Sequence, residues 1–343
     1  MAATSAAYSS KTQEGERSGR PLPAWYSTLS NYRNPSARRA GWQLANTLLP
    51  YCGLWVLMIL SIRHGYPYGL TLALAVVAAL FLVRLFLLFH DCVHGSLFPG
   101  KGANTFTGHA LGLLAFTPFD DWRFSHLRHH ASYANLDARG FGDIWTMTRT
   151  EYEESSQGKQ LAYRFYRNPL VLIGLGALFS FLLRYRLPAH KAKRQERASV
   201  VFTNLIIIAV FLFAAWTIGW RTYLLIQLPV LWLAGAVGVW LFYVQHQFAG
   251  GYWARRQEWD ALRAAMEGSS YYKLPTVLRW FSANIGYHHV HHLNPRIPNY
   301  RLKECYDALP PLQDKPALTI RQSLSSIRLK LWDEEKQELV GFP

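Results

Sequence analysis

The chain has 343 residues, of which 50% are hydrophobic, 15% aromatic and only 17% charged. This excludes a disordered or fibrous protein and, against the ~25% charged residues of soluble domains, points to a membrane one. Three cysteines, Cys52, Cys92 and Cys305, without CxxC spacing, offer neither a disulfide framework nor a cysteine zinc site, and the formal charge of +15 fits nucleic acid, anionic lipid or basic loops facing a cytoplasm.

Residues 1–40 are rich in Ser, Ala, Gly and Arg, lack the apolar centre of a signal peptide, and read as a flexible basic tail. A helix needs ~20 apolar residues to cross the hydrocarbon core. Four windows reach that length with at most one charge each: 41–62, 68–89, 199–220 and 222–244. Buried helices of soluble proteins are usually amphipathic, whereas these are apolar on every face. The last two are separated only by Arg221 and predict a hairpin, with Pro229 as a point of kinking. Runs 105–119 and 169–183 are too short to cross and predict interfacial or re-entrant segments.

The basic stretch holding Arg184, Arg186, Lys191, Lys193, Arg194 and Arg197 against Glu196 belongs in the cytoplasm with the basic N-terminal tail. Four crossings then return both termini to that side. The stretch lacks any recognisable nucleic-acid module, so a lipid-facing loop explains it and no nucleic-acid partner is expected. The expected fold is an all-α integral membrane protein: four transmembrane helices in two hairpins, with cytoplasmic helices carrying a histidine-rich dimetal site. Residues 41–305 form this domain and 306–343 a cytoplasmic C-terminal tail.

The dimetal expectation comes from the histidines. Ten of the 13 fall in three clusters and one outlier. The clusters are His90 and His94; His126, His129 and His130; and His288, His289, His291 and His292, while His246 stands at the end of the fourth window. Residues at i, i+3 and i+4 share one helical face, with Cβ atoms ~5–6 Å apart, so each cluster can present ligands to one ion. His289 points about a quarter turn away from that face, which leaves it a supporting role at most. His64, His109 and His190 are isolated and read as interfacial or loop residues. Nine imidazoles exceed the four ligands of tetrahedral zinc and the six of an octahedral ion, so two metals are expected, with Fe, Zn, Cu and Ni all suited to imidazole. All clusters fall on one membrane face provided that 169–183 does not cross.

The HxxxH, HxxHH and later HxxHH around two transmembrane hairpins resemble the membrane fatty acid desaturase superfamily over about residues 40–305. His90-Asp-Cys-Val-His-Gly-Ser-Leu-Phe98, the stretch from Trp122 through His130 to Trp145, and Gly286-Tyr-His-His-Val-His-His-Leu-Asn-Pro295 are similar to the acyl-lipid delta-12 (omega-6) branch. The resemblance implies two non-haem irons held by His90, His94, His126, His129, His130, His246, His288, His291 and His292. It further implies dioxygen as co-substrate, a fatty acyl lipid as substrate, and no flavin or haem in the chain. Electrons come from a separate donor such as ferredoxin or cytochrome b5 with its reductase. Asp91, Asp121, Asp137 and Asp143 are candidate acceptors for ligand imidazoles, with helix capping or pairing to Arg as the alternative. Asn284, one turn before His288, is a candidate polar partner. Related ketolases, sterol-modifying enzymes and alkane hydroxylases share the histidine spacing, so oxygen insertion stays open as an outcome. A histidine-rich transporter or sensor is the non-enzyme alternative, disfavoured because such ligands normally lie within the spans, and these four windows contain no histidine.

Overall fold

The computed structural model describes residues 21–140 and 142–343. Among them, four helices are long and apolar enough to cross a membrane: α1 (Ala37–Arg63), α2 (Tyr68–His94), α8 (Arg194–Thr217) and α9 (Trp220–His246). The shorter helices are α3 (Lys101–Leu114), α4 (Phe119–Ser132), α5 (Arg149–Glu153), α6 (Gln157–Tyr166), α7 (Gly176–Leu182), α10 (Ala261–Met266), α11 (Thr276–Phe281), α12 (His288–Leu293), α13 (Asn299–Ala308), α14 (Pro310–Gln313) and α15 (Ile320–Ser325).

Helix ends follow local chemistry. The Ser36 side chain caps α1 by accepting from the Arg39 N–H. Gly95, in the left-handed region at φ 69°, closes α2 with its N–H on the Asp91 and Cys92 carbonyls. Gly219 at φ 86° makes the α8–α9 turn, two residues before the Arg221 expected there. Pro229 lies inside α9 without interrupting it.

α2 is the central helix, packed between α1 and α9 and against α3, with 56% of its most apolar window buried, whereas α1 and α8 have 22% each. Leu49, Val56, Leu205, Leu212, Phe213 and Trp216 stand exposed on α1 and α8. An apolar surface of that extent is at home in lipid rather than water. Tyr68 donates to the Leu225 carbonyl and Arg63 to that of Thr217, tying the two hairpins together at the end remote from the histidines.

The interfacial segment expected at 105–119 is α3, a break over 115–118, and the start of α4. The one expected at 169–183 is a π-helical turn (Leu170–Leu175) leading into α7, and Gln157–Tyr166 and Leu170–Arg186 meet at a bend of 64°. Gly235 of α9 lets this arm approach: a Cβ there would stand 3.0 Å from that of Ala177.

Two expected tails differ from the structure. Of 1–40, residues 1–20 lie outside the described residues, but Ala24–Tyr32 forms a 3-10 helix whose buried Leu29 packs with Val290 and Leu293 of α12. Residues 306–343 are folded rather than a loose tail, with Leu312, Leu331, Trp332 and Leu339 buried. Short strands pin them. β1 (Met147–Thr148) pairs in parallel with β4 (Leu331–Asp333), which pairs antiparallel with β5 (Glu338–Val340). β2 (Tyr271–Lys273) pairs in parallel with β3 (Ala317–Thr319).

Candidate metal centre

A 27-residue helix is ~40 Å long and overshoots the ~30 Å hydrocarbon core. In α2 and α9 the overshoot carries His90 and His94, and His246. The other clusters ride on α4, whose first turn holds Asp120 and Asp121 at the positive end of its dipole, and on the short α12.

These four elements bring all nine predicted imidazoles together in two adjoining groups. His90, His94, His126, His130 and His291 form one, able to hold a metal ion. His129, His246 and His292 form the other, and His288 joins it with its Nε2 3.0 Å from that of His246 and 3.1 Å from that of His292. The groups touch where the His130 and His292 rings stack at 4.2 Å.

The spacing fits metal ligation. His126 Nε2 stands 2.9 Å from His94 Nε2 and 3.1 Å from His130 Nε2, which is itself 3.1 Å from His291 Nε2. In the other group His129 Nε2 is 3.1 Å from His246 Nε2. Each imidazole nitrogen offers a single in-plane proton or lone pair, so a run of facing nitrogens oversubscribes hydrogen bonding, whereas one cation accepts every lone pair. Two nitrogens at right angles about an ion, each ~2.1 Å from it, stand ~3 Å apart, the separation seen here. Burial, reinforced by neighbouring histidines, pushes the pKa values of His126, His130, His288, His291 and His292 well below the ordinary imidazole range, favouring the neutral, ligating form.

Asp143 is the clearest support: its Oδ1 lies 2.6 Å from Nδ1 of the buried His129, as a carboxylate accepting the ring N–H. The other predicted partners serve elsewhere. Asp91 comes only to 3.6 Å from His90 Nδ1, while its Oδ2 accepts from the backbone N–H and side-chain amide of Asn299, at the start of α13. Asn284 donates to the Asn299 carbonyl. His289 faces the Leu312 carbonyl at 3.1 Å, away from both groups, and burial lowers its pKa to about 3. Asp121 accepts from the Ala189 N–H, and Asp137 pairs with Arg255. His64 and His190 are exposed, and His109 lies 3.5 Å from Asp120.

Two supporting residues escaped the sequence reading. Trp122 stacks on His126 at 4.2 Å and 19°. Tyr133 places its ring 4.1 Å from that of His246 and donates from its hydroxyl to the carbonyls of His246 and Gly268. The signal for both was helical spacing: Trp122 is four residues before His126 and Tyr133 four after His129.

Comparison with known proteins agrees with this geometry. Residues 65–323 match the sequence model of the family described as fatty acid desaturase. A fatty acid desaturase of Bacillus subtilis (strain 168) is 44% identical, the match covering 92% of this chain and 89% of that one. An endoplasmic-reticulum omega-3 fatty acid desaturase of Vigna radiata var. radiata is 31% identical, with 64% of this chain and 59% of that protein covered. An sn-1 acyl-lipid omega-3 desaturase (ferredoxin) of Synechocystis sp. is 26% identical over 66% of this chain and 64% of its own. The chain thus spans about six tenths of the length of the last two.

Proposed function

The chain belongs to the fatty acid desaturase family, and from that premise we propose that it is a dioxygen-dependent di-iron oxidoreductase forming a cis double bond in a fatty acyl chain of membrane lipid. The observation carrying this reading is the pair of adjoining imidazole groups at the ends of α2 and α9, two of the helices long and apolar enough to cross a membrane. In this reading the nine histidines are the ligands, and both termini and the site face the cytoplasm.

Two irons held there would supply, with dioxygen and two electrons, an oxidant able to remove hydrogen from unactivated methylenes. The reaction balances as one CH2–CH2 unit, O2, two electrons and two protons giving CH=CH and two waters. The protein's part is placement and dryness. Asp143 fixes the His129 ring, and Tyr133 holds the end of α9. Trp122 packs against His126 and, edge-on, against Phe86 at 5.4 Å and Phe89 at 5.2 Å, forming an aromatic wall on one side of the first group. The electron donor is a separate carrier such as ferredoxin or cytochrome b5 with its reductase, and a basic surface suits an acidic one.

The test is expression in a host that makes only saturated and monounsaturated fatty acids, beside a His129→Ala control, with double bonds located by mass spectrometry of the methyl esters. A new double bond in the wild type alone is expected, at the delta-12/omega-6 position that the histidine-box wording suggests. A bond elsewhere, such as the omega-3 position in the names of two relatives, keeps the desaturase and changes its regiochemistry. A hydroxylated or ketolated product replaces desaturation with oxygen insertion.

A further inference from the structure

Arg167 is 1% exposed and sits at the break between α6 and the π-helical turn. The five hydrogen bonds of its side chain among the described residues all end on uncharged oxygens. Nη1 donates to the Trp145 carbonyl at 3.1 Å and Thr146 Oγ1 at 3.3 Å. Nη2 donates to Gln247 Oε1 at 3.0 Å, the Leu329 carbonyl at 2.9 Å and the Tyr243 hydroxyl at 3.4 Å. A guanidinium taken out of water with no carboxylate beside it is costly and survives only where its fork of donors is largely used; here both terminal nitrogens are hydrogen-bonded, while Nε has no partner among the described residues.

The acceptors come from particular places. Trp145 and Thr146 follow Asp143, the carboxylate that orients His129. Gln247 directly follows His246, and Tyr243 lies one turn before it on α9. Gln247 Nε2 also donates to Thr146 Oγ1 at 3.2 Å, closing a ring between the two stretches. His129 and His246 face each other at 3.1 Å in the same imidazole group. Arg167's bonds reach neither α2 nor α12: its acceptors adjoin His129 and His246, not His288 and His292 of the same group on α12, nor His90, His94 and His291 of the other.

We propose that Arg167 is a positioning residue for His129 and His246, the pair at the heart of the group completed by His288 and His292, clamping the stretch that bears Asp143 to the end of α9. The inference rests on the di-iron reading, and its test separates the two. Wild type, Arg167→Gln and Thr146→Val chains are purified in detergent and loaded with ferrous iron. Iron is then counted per chain and its sites resolved by Mössbauer spectroscopy, with thermal unfolding followed in parallel.

Wild type is expected to hold two irons in two distinguishable sites. Arg167→Gln is expected to fall toward one iron, losing one subspectrum and keeping the other. Thr146→Val, which keeps the buried charge and removes one hydroxyl, is expected to weaken that same site by about tenfold, and it carries the test if Arg167→Gln fails to fold. Two irons with unchanged spectra in the variants, or equal loss from both sites, would overturn the proposal. Fewer than two irons in the wild type would instead overturn the di-iron reading.

Discussion

Asp143 shows how one side chain selects the state of another. Its carboxylate accepts the His129 Nδ1–H, which leaves the Nε2 lone pair facing His246. In Asp143→Asn the amide no longer enforces that tautomer, and the expected result is a 10–100-fold loss of iron affinity, read by chelator competition, with turnover falling in parallel. His64→Ala is expected to change neither, since that ring is exposed at the far end of the helices. Asp143 was legible in the sequence because a carboxylate near a histidine box is a common anchor. Asn284 was misread for a definite reason: one turn before His288 puts it on the same face only if the chain is helical there. Ala283 and Asn284 instead adopt left-handed conformations at φ 45° and 58°, turning the Asn284 amide toward Asn299. Asp91 was misread because its true partner, Asn299, is 208 residues away.

At the scale of elements, the apolar windows located all four long helices, since hydrophobic length is written in the local sequence. Their ends were less legible because α2 and α9 continue past the apolar run into the histidines, where spacing rather than hydropathy carries the signal. The two- and three-residue strands left no periodic trace, for they exist only through partners far along the chain. One of these contacts bears on the site. The carbonyl of Gly286, two residues before His288, accepts from the Tyr272 N–H of β2, and a Cβ on Gly286 would collide with the Tyr272 carbonyl. Gly286→Ala is therefore expected to displace α12 and lower the melting temperature together with iron content, whereas Gly102→Ala, where a Cβ meets open space, leaves both unchanged. A pH effect belongs to the same level. Burial lowers Lys315 and Lys330 to about 8, while in the unfolded chain they titrate near 10.5. Between about 8 and 9 the unfolded state binds more protons, so stability rises with pH across that window. Above it, the buried Cys305, pushed up to about 12 from an ordinary 9.0, and then Tyr133 and Tyr163, whose pKa values are also raised, oppose the trend. Thermal melts from pH 7 to 9 should show the rise, flattened in Lys315→Met. A melting temperature that falls steadily from pH 8 would contradict it.

Across the whole molecule, the site is a meeting of distant parts: the first imidazoles lie about 200 residues from the last, and neither hairpin supplies either imidazole group alone. The C-terminal segment is part of that assembly. The Leu329 carbonyl accepts from Arg167, β4 pairs with β1 just after Thr146, and Tyr243 of α9 donates to the Ser326 carbonyl. Leu331, Trp332 and Leu339 are buried beneath it. Burying one such side chain is worth about 1.5–3 kcal/mol, so the three together approach the lower end of the 5–15 kcal/mol that keeps a typical domain folded. Deleting residues 315–343 is therefore expected to do more than shorten a tail. The truncated chain should still insert, because its four long helices are intact. Arg167 would lose one of its acceptors and the wall behind α9 would open, so iron should be lost first from the group containing His129 and His246. Counting iron in membranes carrying the truncated chain, with insertion verified by alkali extraction, decides the matter. Two irons in the truncated chain would mean that the helices alone hold the site and that the segment only covers it.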